Sequence, residues 1–300
     1  LKAMQRAYEH GLDPGKLQYL EAHSTATQLG DATEISSVTE FLDGAFPEGH
    51  KIPVTSVKAN IGHTLEAAGM AGGIKSVLCM QHGVIPPAIN IDEINPKIDW
   101  KQSPVYVPLQ PEPWPEQADG SPRRAGVNAF GIGGLNMHVV IDEYQPAAAQ
   151  ALVQNSPRLN ADGVPTTLVP GSDEASLAIV GMGCIQPGAP NREKFWQLLV
   201  EGRDPKTSVP AGRWRGDLYH SPNGSQPHRT PTTQGGYITD FQYDWRRHKV
   251  PPKQVQQADP LQFMLLTAAD EAIADSGYSE KPFDHTRVGV IMGTEFGGEF

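Results

Sequence analysis

Residues 145–175, QPAAAQALVQNSPRLNADGVPTTLVPGSDEA, mix alanine, proline, glycine and polar side chains without any sustained period. Such a stretch reads as a semi-flexible linker, and it splits the chain into two parts. With 300 residues and 38% apolar content there is enough length for one large core or two domains, and disorder is not the default.

Before the linker, strand and helix signals alternate. Residues 1–10 read as the end of a helix stopped by Gly11, and LQYLEA, residues 17–22, reads as a strand. Asp31 is placed as an N-cap, and Glu34 three residues later completes a capping-box spacing in DATE, for a helix running to about Leu42. Residues 53–57 are short and β-branched. Residues 67–81 form a small-residue helix ending near Gly83, and its Ala and Gly content lets another backbone approach closely, which predicts burial. Residues 125–130 and 137–142 are strands joined by the turn GIGGLN. The alternation predicts an α/β layered core with its strands covered on both faces.

After the linker, residues 177–180 carry a buried-strand signal that runs into GMGCIQPGA, and residues 192–201 read as a helix. Residues 202–236, rich in Pro, Gly, Thr and His, are expected to be surface loop. Asp259 followed by Pro260 gives an N-cap and a first-turn proline for an apolar helix to about Ala274, and residues 288–292 read as a second buried strand.

Several function classes are disfavoured. A formal charge of −10 with no basic run argues against a nucleic-acid surface. Cys79 and Cys184 lie far apart without CxxC spacing, so neither a disulfide framework nor a structural zinc site is indicated, and a reducing, cytoplasmic setting fits. No window has the unbroken apolar length of a membrane span, and LKAMQRAYEH lacks the apolar core of a signal peptide. The absence of Met at position 1 leads us to expect that the chain begins inside a longer polypeptide. The histidines do not cluster at ligand spacing, so no metal is implied. GMGCIQPG lacks the third glycine of a dinucleotide fingerprint, with Gln186 in its place.

Three segments carry groups able to stabilise negative charge: His23 in EAHSTAT, Lys58 and His63 in SVKANIGH, and the backbone amides of Phe130, Gly131, Ile132, Gly133 and Gly134 in FGIGG. An imidazole donates to a developing enolate, an ammonium stabilises it without proton transfer, and amides in a glycine turn can form an oxyanion hole. Taken singly, His23 is a polar strand end, Lys58 a solvated charge and FGIGG a tight turn. Together they point to acyl chemistry.

In this order, EAHSTATQLGD, SVKANIGHTLEAAGMAG and GVNAFGIGGLNMHVVIDE resemble the C-terminal half of a β-ketoacyl synthase domain of the polyketide and polyunsaturated fatty-acid synthase group, whose usual strings are EAHGTGTxxGD, KxNIGHxxxAAGxAG and GVSSFGFGGTNAHVVLEE. The resemblance covers residues 1–144. IVGMGCIQPGAPNREKFWQLLVEGRD and ADPLQFMLLTAADEAIADSGY resemble the N-terminal half of the same family, so residues 176–300 read as the start of a second synthase domain. The resemblance implies a thiolase-like layered α-β-α-β-α fold, present as two incomplete halves joined by the linker.

It also implies decarboxylative condensation: an acylated cysteine, and an enolate formed when malonyl on an acyl carrier protein loses carbon dioxide. His23 and His63 would stabilise that enolate, Lys58 would orient or charge-stabilise the site, and Thr25, Thr27 and Asn60 would support it. The amide of Ile132 would help hold the thioester oxyanion. No cofactor is expected to bind directly, since the phosphopantetheine belongs to the carrier protein. An acyltransferase domain and a second copy, as a homodimer, are the other expected partners.

Two departures stand out. Ser24 and Ala26 replace the glycines of HGTGT, and Ile132 replaces the usual phenylalanine of GFGG. The family's nucleophile motif, of the form DTACSSS, is absent from both parts, so the thiol is expected outside the chain and the chain alone is expected to be inactive in condensation. Two other readings stay open: a non-catalytic chain-length-factor-like partner, particularly for the later part, or a truncated fragment without independent function.

Overall fold

The computed structural model describes residues 1–131, 133–146, 177–223, 226–281 and 283–294, so the linker lies almost wholly outside the described residues. In the first part, helix α1 (Lys2–Tyr8) precedes strand β1 (Tyr19–Glu21), and helix α2 (Gln28–Phe41) leads to strand β2 (Ile52–Thr55). The short helix α3 (Lys58–Ile61) and the long helix α4 (Ala68–His82) follow, then β3 (Val84–Ile85), β4 (Val105–Tyr106) and β5 (Glu112–Pro113). The hairpin of β6 (Arg124–Phe130) and β7 (Asn136–Asp142) closes this part.

The main sheet has the order β4-β2-β1-β6-β7, parallel throughout except for the last pair. Every residue of β1 and β2 is buried, as expected of parallel strands covered on both faces. β7 departs from that expectation, because Met137 and Val139 stay exposed on the sheet edge.

Helix α4 is buried as its small residues predict, and it comes so close to β1 that a Cβ on Gly72 would stand 2.9 Å from Cγ of Glu21. It ends on Gly83 with φ of 61°, a left-handed cap. Helix α2, by contrast, starts at Gln28 with Thr27 as its N-cap rather than at Asp31. The Asp31 amide already bonds the Thr27 carbonyl at 2.9 Å, inside the helical ladder. The capping box fails because Glu34 does not turn back to the helix start; its carboxylate accepts from the amides of His23 and Ser24 instead.

Beneath the sheet lies a buried polar network. Glu21, 1% exposed, accepts from the Val57 amide at 2.6 Å and from the Tyr19 hydroxyl at 2.6 Å, and pairs with the Lys75 ammonium at 2.9 Å. Lys75, also 1% exposed, donates to Thr55 Oγ1 at 2.7 Å. These bonds tie β1, β2, the start of α3 and α4 to one carboxylate.

After the linker, the helix Arg192–Val200 is capped by Asn191, whose side chain accepts from the Lys194 amide, and the helix Pro260–Asp275 is capped by Asp259 with Pro260 in the first turn, as expected. The loop over residues 202–236 contains the helix Gly216–Tyr219 and a small antiparallel pair, β8 (Thr207–Ser208) with β9 (Gln234–Gly235). The buried strands expected at residues 177–180 and 288–292 do not form. Leu177 is 95% and Ile291 99% exposed, and neither run pairs with a neighbour among the described residues, so the backbone bonds that make a strand are missing.

Removing one partner of a desolvated ion pair leaves the other charge buried alone. Lys75→Met is therefore expected to cost about 3–5 kcal/mol of stability in urea unfolding, while the double variant Lys75→Met with Glu21→Gln recovers a large share of it.

Candidate active site

The site is assembled at the carboxyl ends of parallel strands, where loops leave β1 and β2. His23 follows β1 by two positions. Its amide and that of Ser24 donate to the Glu34 carboxylate at 2.9 and 2.8 Å, so α2 holds the loop from behind. Lys58 opens α3 just after β2, and His63 follows Gly62, whose φ of 79° turns the chain out of that helix.

The structure brings the two histidines together. Their ring centroids lie 5.5 Å apart at an interplanar angle of 81°, with the Phe130 ring 5.1 Å from His23. Each ring accepts a backbone hydrogen bond at Nδ1, from the Phe130 amide to His23 at 3.2 Å and from the Leu65 amide to His63 at 3.1 Å. An Nδ1 that accepts carries no proton, so in the neutral rings the proton sits on Nε2. Both imidazoles are thereby presented as Nε2–H donors.

Electrostatics keeps them neutral. Burial, and then the Lys58 ammonium and the other imidazole, lower the His23 pKa to about 4. Burial and Lys58 lower that of His63 as well. The Lys58 ammonium is itself desolvated, which lowers its pKa, although Glu21 and Glu34 act in the opposite sense. The arrangement offers neutral donors beside a nearby positive charge, a pattern suited to stabilising an enolate or oxyanion.

Part of the glycine turn is committed to bonds within the protein. Of its amides, that of Phe130 is committed to His23, that of Gly131 donates to the Leu135 carbonyl at 2.8 Å, and that of Gly134 donates to the Gly131 carbonyl at 3.0 Å. These three hold the hairpin and the imidazole rather than an oxyanion. Gly133 has no such partner among the described residues, and Ile132 lies outside them. Thr25 and Thr27 are exposed, Thr27 as the N-cap of α2. Asn60 is buried and donates from its amide to the Arg203 carbonyl at 3.0 Å.

Three residues, Glu34, Asn128 and His138, position the site although the sequence reading gave them no role in it. Asn128 donates from Nδ2 to Glu34 at 2.9 Å, and its carbonyl oxygen lies 2.7 Å from Nδ1 of His138, directly across the β6–β7 ladder. Because Asn128 Oδ1 can only accept, His138 Nδ1 is the donor, and its buried Nε2 has no partner among the described residues. His138, Asn128 and Glu34 thus form a relay ending on the His23 and Ser24 amides. The signal in the sequence is that Asn128 and His138 are polar residues in the interior of β6 and β7, within the string GVNAFGIGGLNMHVVIDE.

Sequence profiles match the whole order of the chain: "Beta-ketoacyl synthase, C-terminal domain" over residues 1–92, "Ketoacyl-synthetase C-terminal extension" over 95–172 and "Beta-ketoacyl synthase, N-terminal domain" over 174–299. The chain belongs to the β-ketoacyl synthase family. It is the end of one ketosynthase followed by the opening of another, in the thiolase-like α/β fold of that family. A polyunsaturated fatty acid synthase polypeptide of Thraustochytrium sp. is 34% identical over 289 residues, which is 94% of this chain and 13% of that protein. The 6-methylsalicylic acid synthase of Penicillium patulum is 40% identical over 170 residues, 56% of this chain and 9% of that protein. The solved ketosynthase from module 6 of the bacillaene synthase of Bacillus subtilis 168 is 40% identical, with a TM-score of 0.45 over 49% of this chain and 27% of the other. The chain thus spans a small part of the curated relatives it matches. The extension profile takes in most of the segment that reads as linker.

The family strings give a departure a physical meaning. Ser24 and Ala26, which stand where HGTGT has glycine, both hold positive φ, at 24° and 61°. That region is costly for a residue with a Cβ. Ala26→Gly is expected to raise stability by about 0.5–1 kcal/mol in denaturant unfolding, the relief of strain being partly offset by the entropy of glycine in the unfolded chain.

A second expectation concerns pH. The folded His23 pKa lies below the ordinary 6.5, so the unfolded chain binds the proton more readily. The His23 contribution to stability is therefore intact above about pH 6.5 and is lost as pH falls toward 4. An NMR titration should show the His23 ring signals unchanged from pH 8 down to about pH 5.

Proposed function

We propose that the first half of the chain carries the decarboxylation wall of a ketosynthase site. The observation that carries this reading is the pair of imidazoles, 5.5 Å between ring centroids, each fixed by a backbone amide as an Nε2–H donor. A malonyl thioester seated between them would lose its carboxylate as carbon dioxide. The electron pair of the broken C–C bond stays on the α-carbon as an enolate, and the enolate oxygen accepts from the Nε2–H groups of His23 and His63. Neutral imidazoles suit this step, because an imidazolium would hand its proton to the carbanion and quench it. Lys58 adds positive charge from one step away.

In the complete reaction the enolate carbon attacks the thioester of a cysteine-bound acyl chain, a C–C bond forms, and the thiolate leaves. Neither cysteine here supports that role. Cys79 is fully buried in α4 and Cys184 is buried after the linker, and burial pushes each thiol up to about 12, far from the thiolate that nucleophilic catalysis needs. The reading therefore places the nucleophile outside this chain, and makes the chain part of an acyl-transferring polyketide or fatty-acid synthase. Its malonyl would arrive on the phosphopantetheine of an acyl carrier protein loaded by an acyltransferase domain.

The test separates the two half-reactions. Release of carbon dioxide from a malonyl thioester should be measurable without condensation, in this chain or in one extended to include the cysteine. His63→Ala should reduce it by about 100-fold or more, the scale of losing an oxyanion donor. Carbon dioxide release unchanged in His63→Ala would remove the assignment.

A further inference from the structure

His138 is enclosed on every side by the first part of the chain. Its imidazole leans along the neighbouring strand to Gly126, where a Cβ would stand 2.7 Å from its Cε1 and 3.1 Å from its Nε2, so only glycine leaves room for the ring. The rings of Tyr8 on α1 and Phe41 on α2 lie over it, with centroids 5.8 and 6.5 Å away. Burial, and then the Leu1 amino group, lower the His138 pKa to about 4, so the ring is neutral near pH 7.

A neutral imidazole carries one proton, and its place on the ring decides the state of the residues beyond it. With the proton on Nδ1, His138 donates to Asn128 Oδ1 at 2.7 Å, and Asn128 Nδ2 is turned to Glu34 Oε1 at 2.9 Å. Glu34 can then be a carboxylate, with Oε1 accepting from the His23 amide and Oε2 from the Ser24 amide. With the proton on Nε2 instead, Nδ1 could only accept. Asn128 would have to turn over, and its Oδ1 would face Glu34 Oε1. Two acceptors make such a contact only when one is protonated, so Glu34 would have to take up a proton there. The His23 amide would then lose its charged acceptor, and a neutral hydrogen bond is roughly half as strong.

The surroundings of Nε2 choose between the two arrangements. That atom is buried without a partner among the described residues, and an orphaned N–H is less tolerated than an under-satisfied acceptor. The charged groups facing Glu34 are Asp31 on its own helix and Lys58 on α3. Burial pushes the Glu34 pKa up, against the hydrogen bonds that favour its charged form, and the bond from Asn128 is one of these.

We infer that His138 is a positioning residue for His23 that acts through its tautomer: the proton on Nδ1 fixes the Asn128 amide, which keeps Glu34 a carboxylate and keeps the His23 loop on a charged acceptor. What this contributes to decarboxylation rests on the functional reading above, whereas the network is measured without it.

The experiment uses the chain of 300 residues and NMR. In the unmodified chain the His138 ring should carry its proton on Nδ1, the opposite of His23 and His63. His138→Leu, which keeps an apolar body beside Tyr8 and removes the donor, should raise the Glu34 carboxyl titration midpoint. It should also speed amide exchange at His23 and Ser24 by about 10-fold relative to the ladder amides of β6 and β7, the loss of a hydrogen-bond-sized restraint. His138→Asn, whose amide reaches the position of Nδ1, should restore both. An Nε2-protonated His138 in the unmodified chain would overturn the inference. So would an unmoved Glu34 midpoint in His138→Leu together with His23 and Ser24 exchange within about 2-fold of the unmodified chain. If His138→Leu fails to fold, His138→Gln, whose amide reaches the position of Nε2 but not that of Nδ1, takes its place under the same outcomes. Tautomer, midpoint and exchange as expected in a chain that releases no carbon dioxide from a malonyl thioester would count against the functional reading and leave the role of His138 in place.

Discussion

A carboxylate with no access to water holds this fold together. Glu21 sits in the middle strand of a parallel sheet, where an ionised side chain is tolerated only if its charge is matched and its lone pairs are filled. Lys75 supplies the charge, and Tyr19 and the Val57 amide supply hydrogen bonds. The geometric consequences spread from there. Gly72 must be glycine for α4 to bring Lys75 within reach, and Val57 must lie where β2 ends and α3 begins. The strand that terminates just before His23 and the helix that opens with Lys58 are thus registered by one side chain.

A second carboxylate acts similarly one layer out. Glu34 is buried, which pushes its pKa up, while the Ser24 amide, Asn128 and the His23 amide each favour its charged form. It fixes the backbone on both sides of the His23 α-carbon, and Asn128 and His138 fix Glu34. The loop it holds includes two residues at positive φ, Ser24 and Ala26. Strain of that kind persists only where the surroundings over-determine it, and the paired bonds to Glu34 provide that restraint.

Much of this is legible in the sequence, and what is not has physical causes. The order of EAHSTAT, SVKANIGH and FGIGG locates the strand ends that carry His23, Lys58 and His63, because residues at the ends of parallel strands converge whatever the intervening chain does. The small residues of α4 announce its close approach to β1. Glu34 misleads because its spacing from Asp31 satisfies a local capping rule, and only the fold shows a stronger claim on its carboxylate from the His23 and Ser24 amides. The glycine turn is legible only in part: the pattern shows that amides gather there, not that those of Phe130, Gly131 and Gly134 are spent on His23 and the hairpin. The apolar runs at residues 177–180 and 288–292 have strand character in composition, yet a strand is a pairing, and neither run has its pair among the described residues.

The distribution of charge around the two histidines follows from these constraints. A protonated imidazole would bind an oxyanion more tightly than a neutral one, but it would also protonate a neighbouring carbanion. Backbone amides at Nδ1 select one tautomer for both rings, and burial beside Lys58 disfavours the second proton. The positive charge is placed instead on an amine, Lys58, whose pKa burial lowers while the carboxylates of Glu21 and Glu34 act in the opposite sense. Donor and charge are thereby assigned to different side chains. That division depends on the segment from Lys58 to His63 keeping its place, since a small outward movement would hydrate both imidazoles and restore their ordinary basicity.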